Sequence, residues 1–364
     1  MSLRFGIVGC GVIHGTHGDA IGEIDGAQVA AVCDVDKDRA KSAGDKYGVP
    51  AYTRLRPMLD RVDAVCVCVP SGLHARIGIA AARAGKHVVC EKPIDVSLRA
   101  ARRLVDECRK AGVTLTVVSQ HRFASEIRAV REAAQGGAFG NLLMGDAYIK
   151  WYRTQAYYDS ADWRGTWKLD GGGCLMNQGV HYVDMIQWIM GGIRSVQAVT
   201  RTAAHDIEVE DLAYALVEYK NGAVGMIHGS TSSYPGFAER LEVHGKHGSA
   251  IVEGDRLKFL QVDPEAPKDS SPYGGGVTKQ PTPSVSVLDP ARTFAEASTG
   301  AADPTAIWGE QHRMQLEDFV RAVTDRRDPF LTGEMALEPL RAILAIYKSA
   351  RRGGRRIELD PNTP

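Results

Sequence analysis

Over the first 120 residues the apolar positions fall in short, unbroken runs: LRFGIVG (3–9), AQVAAVCD (27–34), DAVCVCVP (63–70), KHVVCEK (86–92) and VTLTVVS (113–119). Rich in β-branched residues and too short for helices, they predict strands buried on both faces. Between them apolar positions recur at helical spacing: from about Val12, over Lys37–Tyr47, in GLHARIGIAAARAG (72–85) and in SLRAARRLVDECRKAG (97–112). Strands alternating with amphipathic helices predict a doubly wound α/β domain, residues 1–122.

Beyond about Phe123 the texture changes. A helical stretch runs from Gly173 to Gly192, and strands that alternate in polarity follow: SVQAVTRTAA, LAYALVEYK, AVGMIHGSTSS, RLEVHGK, SAIVEG and RLKFLQV. Asn221-Gly222 is a hairpin signal, and His247-Gly248 and Gly254-Asp255 suggest further tight turns. Residues 123–364 are therefore expected to form an α+β domain with a large open, mostly antiparallel sheet that binds substrate and supports oligomers. A Pro, Gly, Ser and Thr-rich stretch from Val262 to about Pro304 reads as a long surface loop. Two helical segments, Glu310–Arg326 and Leu337–Arg352, close the chain, and a terminal helix can pack back on the first domain.

Composition narrows the function. The chain has 364 residues, enough for about two domains, with 44% hydrophobic and 24% charged residues. Acids and bases balance at 44 each, which argues against nucleic acid as a partner. No apolar stretch approaches the roughly 20 residues of a membrane span, and MSLRFGIVG enters a strand at once, with no signal peptide. Seven cysteines without a CxxC pair, two of them on one face of DAVCVCVP, suggest buried free thiols, a cytoplasmic location and no metal site.

GIVGCGVIHG carries a nucleotide signal. Gly9 permits the tight strand-to-helix turn, and Gly11 lets the backbone approach a pyrophosphate at the helix N-terminus. The third position of that fingerprint is His14 instead of Gly or Ala. Asp34 ends the second strand about twenty residues on, placed to accept bonds from the adenosine ribose and to repel a 2′-phosphate, which favours NAD over NADP. His14 and His17 either pack at the helix start or touch pyrophosphate or substrate.

GCGVIHGTH, VPSGLH, EKP at Glu91 to Pro93, WRGTW and GGGCLMNQGVHYVD together resemble the Gfo/Idh/MocA family of NAD(P)-dependent oxidoreductases, and the resemblance extends to GEQHRMQLEDFVRAV. It implies that Lys92 and His181 meet at the cleft between domains, the lysine on the reacting hydroxyl and the histidine as general acid/base. It also implies cofactor contacts from Gly9, Gly11, Val12, Ile13, Asp34, Pro70, Ser71, His74, Glu91, Lys92, Trp163 and Arg164. Independently, Lys92 lies at the carboxyl end of a parallel strand, where open α/β sheets bind ligands, and Pro93 is expected to take a cis bond that fixes it.

Glycines 171–173 are expected to bring the chain close to the nicotinamide, and the helix to present Asn177 and His181, four residues apart, to substrate. Many relatives have Asp where Asn177 stands, so the amide is expected to bind a substrate hydroxyl. Tyr152 and Arg153, in the aromatic run WYRTQAYYDSADWRGTW, are further substrate candidates. The function expected is hydride transfer between nicotinamide and a carbinol of a sugar, polyol or sugar derivative, in a homodimer or homotetramer. Two rivals remain: a glycoside hydrolase that retains NAD and oxidises transiently, and a nucleotide-sensing regulator, for which Lys92 and His181 would have no use.

Overall fold

The computed structural model describes residues 2–262 and 309–359. Six strands, β1 (Leu3–Val8), β2 (Ala27–Cys33), β3 (Ala51–Tyr52), β4 (Ala64–Val67), β5 (His87–Cys90) and β6 (Leu115–Val117), form a parallel sheet in the order β3-β2-β1-β4-β5-β6. The order reverses beside β1, the switch point at which such sheets bind ligands. Helices α1 (Ile13–Gly22), α2 (Lys37–Tyr47), α3 (Leu55–Leu59), α4 (His74–Arg83) and α5 (Leu98–Ala111) link the strands. Local chemistry sets their ends: the Asp36 side chain accepts from Asp38 and Arg39 N–H to start α2, and Gly48, with φ +65°, stops it. Along β4 the side chains alternate between two cores, Val65 and Val67 on one side and Cys66 and then Cys68 on the other. All seven cysteines are free and buried.

The chain then adds α6 (Ser125–Gln135), β7 (Leu142–Lys150), α7 (Gln155–Asp159), α8 (Val180–Met190), β8 (Ile193–Arg201), β9 (Leu212–Tyr219), β10 (Val224–Ser230), β11 (Arg240–Gly245), β12 (Gly248–Glu253) and β13 (Arg256–Val262). After α9 (Gly309–Asp325) and α10 (Leu337–Arg351), the short β14 (Ile357–Glu358) completes an eight-stranded sheet ordered β13-β12-β11-β7-β10-β9-β8-β14. The pairing is antiparallel except between β7 and β10, so the sheet is mixed. The three expected turns lie at β9–β10, β11–β12 and β12–β13. The central strand β7 and helix α6 are not foreseen from the pattern. Leu143 and Met144 of β7 are exposed and Asp146 stands among them, so its alternation reduces to Gly145, Ala147 and Ile149 pointing inward. The stretch read as a surface loop lies outside the described residues, apart from Val262.

Helices α6, α8 and α10 cover one face of this sheet, and its other face shows Met144, Val199, Tyr214, Leu216 and Val224 to solvent. Helix α9 instead returns to the first sheet. Its Leu316, Phe319 and Val320 join Phe5, Ile7, Ile21 and Cys66 in one core, with the Phe5 and Phe319 rings 6.1 Å apart. Burying a side chain of this size contributes about 2–3 kcal/mol.

Candidate active site

The turn after β1 has the shape and the open backbone that a phosphate needs. Gly9 has φ +93°, and a Cβ there would lie 2.5 Å from the Cys68 carbonyl. A Cβ at Gly11 would meet nothing within 4 Å, so the backbone is open to a ligand. Helix α1 begins after Val12 with no side chain capping it, which leaves the positive end of the helix to an anion. Val12 is exposed and Ile13 half-buried. The Asp34 carboxylate accepts from the N–H of Cys10 at 2.7 Å and of Asp36 at 2.9 Å, and it retains lone pairs for ribose hydroxyls. These groups fit a dinucleotide. His14 lies against the Gly11 carbonyl.

At the next strand end, Pro70 is half-buried and the buried Ser71 opens a single 3₁₀ turn. The Gly72 N–H donates to the Leu169 carbonyl at 2.8 Å, tying this loop to the second domain beside the site. His74, expected on the cofactor, is buried with Nδ1 2.6 Å from the Pro93 carbonyl and Nε2 2.8 Å from the Val69 carbonyl. Both ring nitrogens are spent inside the protein, so His74 braces the turn that carries Lys92.

Lys92–Pro93 is cis. The Glu91 carboxylate accepts from His17 Nε2 at 2.7 Å and from the Lys92 N–H at 3.2 Å, with His312 Nε2 of α9 at 3.9 Å. Burial alone would raise the Glu91 carboxyl, but His17, His312 and Lys92 pull it down to about 2. Burial also disfavours a charged His17, yet Cys68, Cys66 and Glu91 outweigh it and hold His17 well above its usual value. His17, Glu91 and His312 have the residue types of a metal site. The direct 2.7 Å contact of His17 with Glu91 makes an ion pair instead, because two ligands on one ion each stand about 2 Å from it and further from one another. Burial lowers the Lys92 ammonium, and Lys92 Nζ donates to the Asn177 carbonyl at 3.0 Å.

That carbonyl lies in a helix start that is not α-helical. Cys174–Gly179 form a π-helical turn, and α8 starts only at Val180. The four-residue spacing of Asn177 and His181 therefore does not put both side chains on one α-helical face. Asn177 turns its amide to Asp170, donating to Oδ1 at 2.7 Å, while its backbone serves Lys92. The glycines before it are also placed differently from expectation: a Cβ at 171, 172 or 173 would run into Val96, the Tyr347 hydroxyl or the Glu210 carbonyl. They allow close packing against the protein's own chain. Asp170, which pattern alone did not single out, is buried and accepts from the Gly165 N–H at 2.9 Å. Burial pushes its carboxyl up to about 6, against the pull of Gly165, Asn177, Arg164 and Lys92.

His181 is buried, and it and Lys92 border one small void whose other walls include Val117, Leu331 and Pro339 and none of the nucleotide-cradle residues. Burial, and then His121, Lys92 and His312, hold it well below its usual value, so it is neutral. His121, another unforeseen residue, lies 4.8 Å from it between ring centroids.

The aromatic run forms a layered wall. The Tyr157 hydroxyl accepts from Arg164 Nη1 at 2.6 Å and from Gln178 Nε2 at 3.0 Å. The Arg164 guanidinium lies 4.3 Å from the Tyr157 ring and 4.7 Å from the Trp163 ring. Arg153, a substrate candidate, is buried against Trp151 and Tyr157 and donates to the Tyr152 carbonyl at 2.8 Å. Tyr152 is half-buried and packs edge-on against Tyr234.

Comparison with known proteins agrees with this geometry. Residues 3–119 match "Oxidoreductase family, NAD-binding Rossmann fold", and residues 127–251 match "GFO/IDH/MocA C-terminal domain". The WlbA dehydrogenase of Bordetella pertussis, whose crystal structure holds NADH and UDP-GlcNAcA, is 32% identical, with a TM-score of 0.84 and coverage of 99% of both chains. Myo-inositol 2-dehydrogenase of Thermotoga maritima is 28% identical over 324 residues, 86% of this chain and 93% of that one. D-Apiose dehydrogenase of Paraburkholderia graminis is 26% identical over 361 residues, 97% of this chain and 88% of that one. Both halves of the sequence are matched, and the cradle, the EKP turn and the glycine-led helix stand where those halves meet: the chain belongs to the Gfo/Idh/MocA family of NAD(P)-dependent oxidoreductases.

Proposed function

We propose that Lys92 and His181 are the catalytic pair of this NAD-dependent oxidoreductase, acting on a carbinol of a sugar, polyol or sugar derivative. The observation that carries the reading is their proximity: both border one small void, the lysine is anchored by the Asn177 carbonyl, and the imidazole is held neutral by burial and by nearby cations that include Lys92 itself. In the oxidising direction His181 takes the hydroxyl proton, which only an unprotonated ring can do. Lys92 holds the oxygen and stabilises alkoxide character as it develops. NAD, when bound, supplies the acceptor for the hydride that leaves the carbinol carbon. Gly9, Gly11, Val12, Ile13 and Asp34 hold its adenosine and pyrophosphate part, Pro70, Ser71, Trp163 and Arg164 its nicotinamide half. Tyr152 and Arg153 shape the sugar side of the cleft.

The 32% identity with the WlbA dehydrogenase along 99% of the chain makes a nucleotide-linked sugar uronate the first substrate class to try, ahead of free inositols and aldoses. The exposed apolar face of the second sheet, centred on Tyr214 and Leu216, is the surface on which a second copy docks, giving a homodimer or homotetramer. Among the described residues no helix is long and apolar enough to cross a membrane. Seven free cysteines suit the reducing cytoplasm.

The test is the absorbance of reduced nicotinamide when purified protein and NAD meet nucleotide-linked uronates, free uronates, aldoses, polyols and inositols. Signal with one class, lost in both Lys92→Ala and His181→Ala while NAD still binds, supports the reading. Activity retained in His181→Ala overturns the role of that residue. Bond cleavage in a glycoside without net reduction of NAD moves the protein to the hydrolase alternative.

A further inference from the structure

The His181 ring has a second imidazole packed on it. His121, in the single turn Gln120–Phe123, meets it with ring centroids 4.8 Å apart and planes 63° apart. The next residue locks this arrangement. Arg122 donates to both Asp184 oxygens, at 2.7 and 2.5 Å, in a buried pair that ties the turn to α8 three residues beyond His181. On its far side His121 Nδ1 bonds the Asp255 carboxylate. Asp255 is buried in the β12–β13 turn, and its Oδ1 has no hydrogen-bond partner. A buried carboxylate left half-satisfied is costly without a cation beside it, and His121 supplies that cation.

We propose that His121 is a positioning residue for the reaction: held as an imidazolium by Asp255, it keeps the neighbouring His181 ring in the unprotonated form that receives the substrate's proton. The inference rests on the reading of His181 as the base. The groups facing His121 are Asp255, Glu239 ahead of β11, Lys92 at the end of β5, and Tyr182 and His181 on α8. Burial works against its charge, but Asp255 and Glu239 outweigh burial and Lys92, and the ring stays above its usual value. His181 faces His121, Lys92 and His312, and each of these disfavours charge on it. The two imidazoles thus divide the work, one charged and one neutral, and the charge on His121 disfavours a proton staying on His181.

The experiment uses the full chain and the variants His121→Gln, Asp255→Asn and His121→Lys. Its readouts are the pH profile of kcat/KM and the ring ¹⁵N shifts of the histidines in the protein without NAD. A unit charge at about 5 Å in an effective dielectric near 20 corresponds to roughly two pH units, and Asp255 cancels about half of it, leaving on the order of one. His121→Gln and Asp255→Asn should each raise the acid limb by about one unit, the double variant no further, and His121→Lys should keep it near the wild-type position. The NMR spectrum should show His121 protonated and His181 neutral at pH 7. A neutral His121, or an acid limb unmoved in a folded His121→Gln, overturns the proposal. If His181→Asn remains active, the reading of the base has failed, an outcome that the ring shifts separate from failure of the His121–Asp255 pair.

Discussion

Replacing Glu91 with Gln keeps the shape of the strand end and removes the charge between His17 and His312. In the wild type the carboxyl falls from 4.5 to about 2, a difference that corresponds to about 3 kcal/mol of stability at neutral pH. Breaking a buried ion pair by removing one partner costs about 3–5 kcal/mol by a separate route, and both figures describe one interaction, so they are not added. The cost arises because His17 is left buried without its counter-charge, with Nδ1 already lacking a hydrogen-bond partner. Urea unfolding of wild type and Glu91→Gln, followed by tryptophan fluorescence, measures the difference. Because folding lowers this pKa, the stabilisation is fully present above about 4.5 and is lost as the pH falls towards 2. The gap between the two proteins should therefore be about 3 kcal/mol at pH 7 and narrow steadily below pH 4.5. The double variant His17→Asn, Glu91→Gln should recover part of the loss. A gap under about 1 kcal/mol at pH 7, or one that widens on acidification, would refute the ion-pair account.

Asp34→Ala should weaken NAD by about tenfold or more and narrow the preference over NADP, measured by titration of both cofactors, because a carboxylate–hydroxyl bond contributes about 1.5–3 kcal/mol. Phe319→Ala should cost about 3–5 kcal/mol and expose α9 to limited proteolysis, since the ring is fully buried against the first sheet. Leu216→Arg, at a position 63% exposed on the open sheet face, should reduce the mass seen by light scattering while leaving NAD affinity unchanged.

What could be read from sequence was local. α2 announces itself through Asp36 and Gly48, and β4 through alternation that sends Cys66 and Val67 to different cores, because those signals act over a few residues. β7 was hidden because a central strand with one open face needs inward residues only at alternate sites, and here one of them is Gly145. The candidate site came from motifs, at Gly9, Asp34, Lys92 and His181, and the structure brings the last two to one small void. Asp255 illustrates the opposite case. The sequence marks it only as a turn residue beside Gly254, and its bond to His121 joins positions 134 residues apart. The π-helical turn was equally silent, since the same residues would suit an α-helix, and it redirected Asn177 from substrate to Asp170 and its carbonyl to Lys92.

The return of α9 to the first sheet has a consequence for how the protein is made. A chain leaves the ribosome N-terminus first, at about 5–20 residues per second, and each domain can fold as it emerges. The first sheet is complete at Val117, but Leu316, Phe319 and Val320, which seal Phe5 and Ile7, follow only after roughly 200 more residues, a delay of about 10–40 s. During that interval the nascent NAD-binding half carries a bare apolar face around Phe5 and Ile7, which invites a chaperone or a wrong partner. His312 arrives on the same helix, so Glu91 gains its second histidine only then. This late-arriving helix thus completes the surroundings of Glu91, and a chain truncated before Gly309 would leave the ribosome without the second histidine beside Glu91 and without the apolar seal over Phe5 and Ile7.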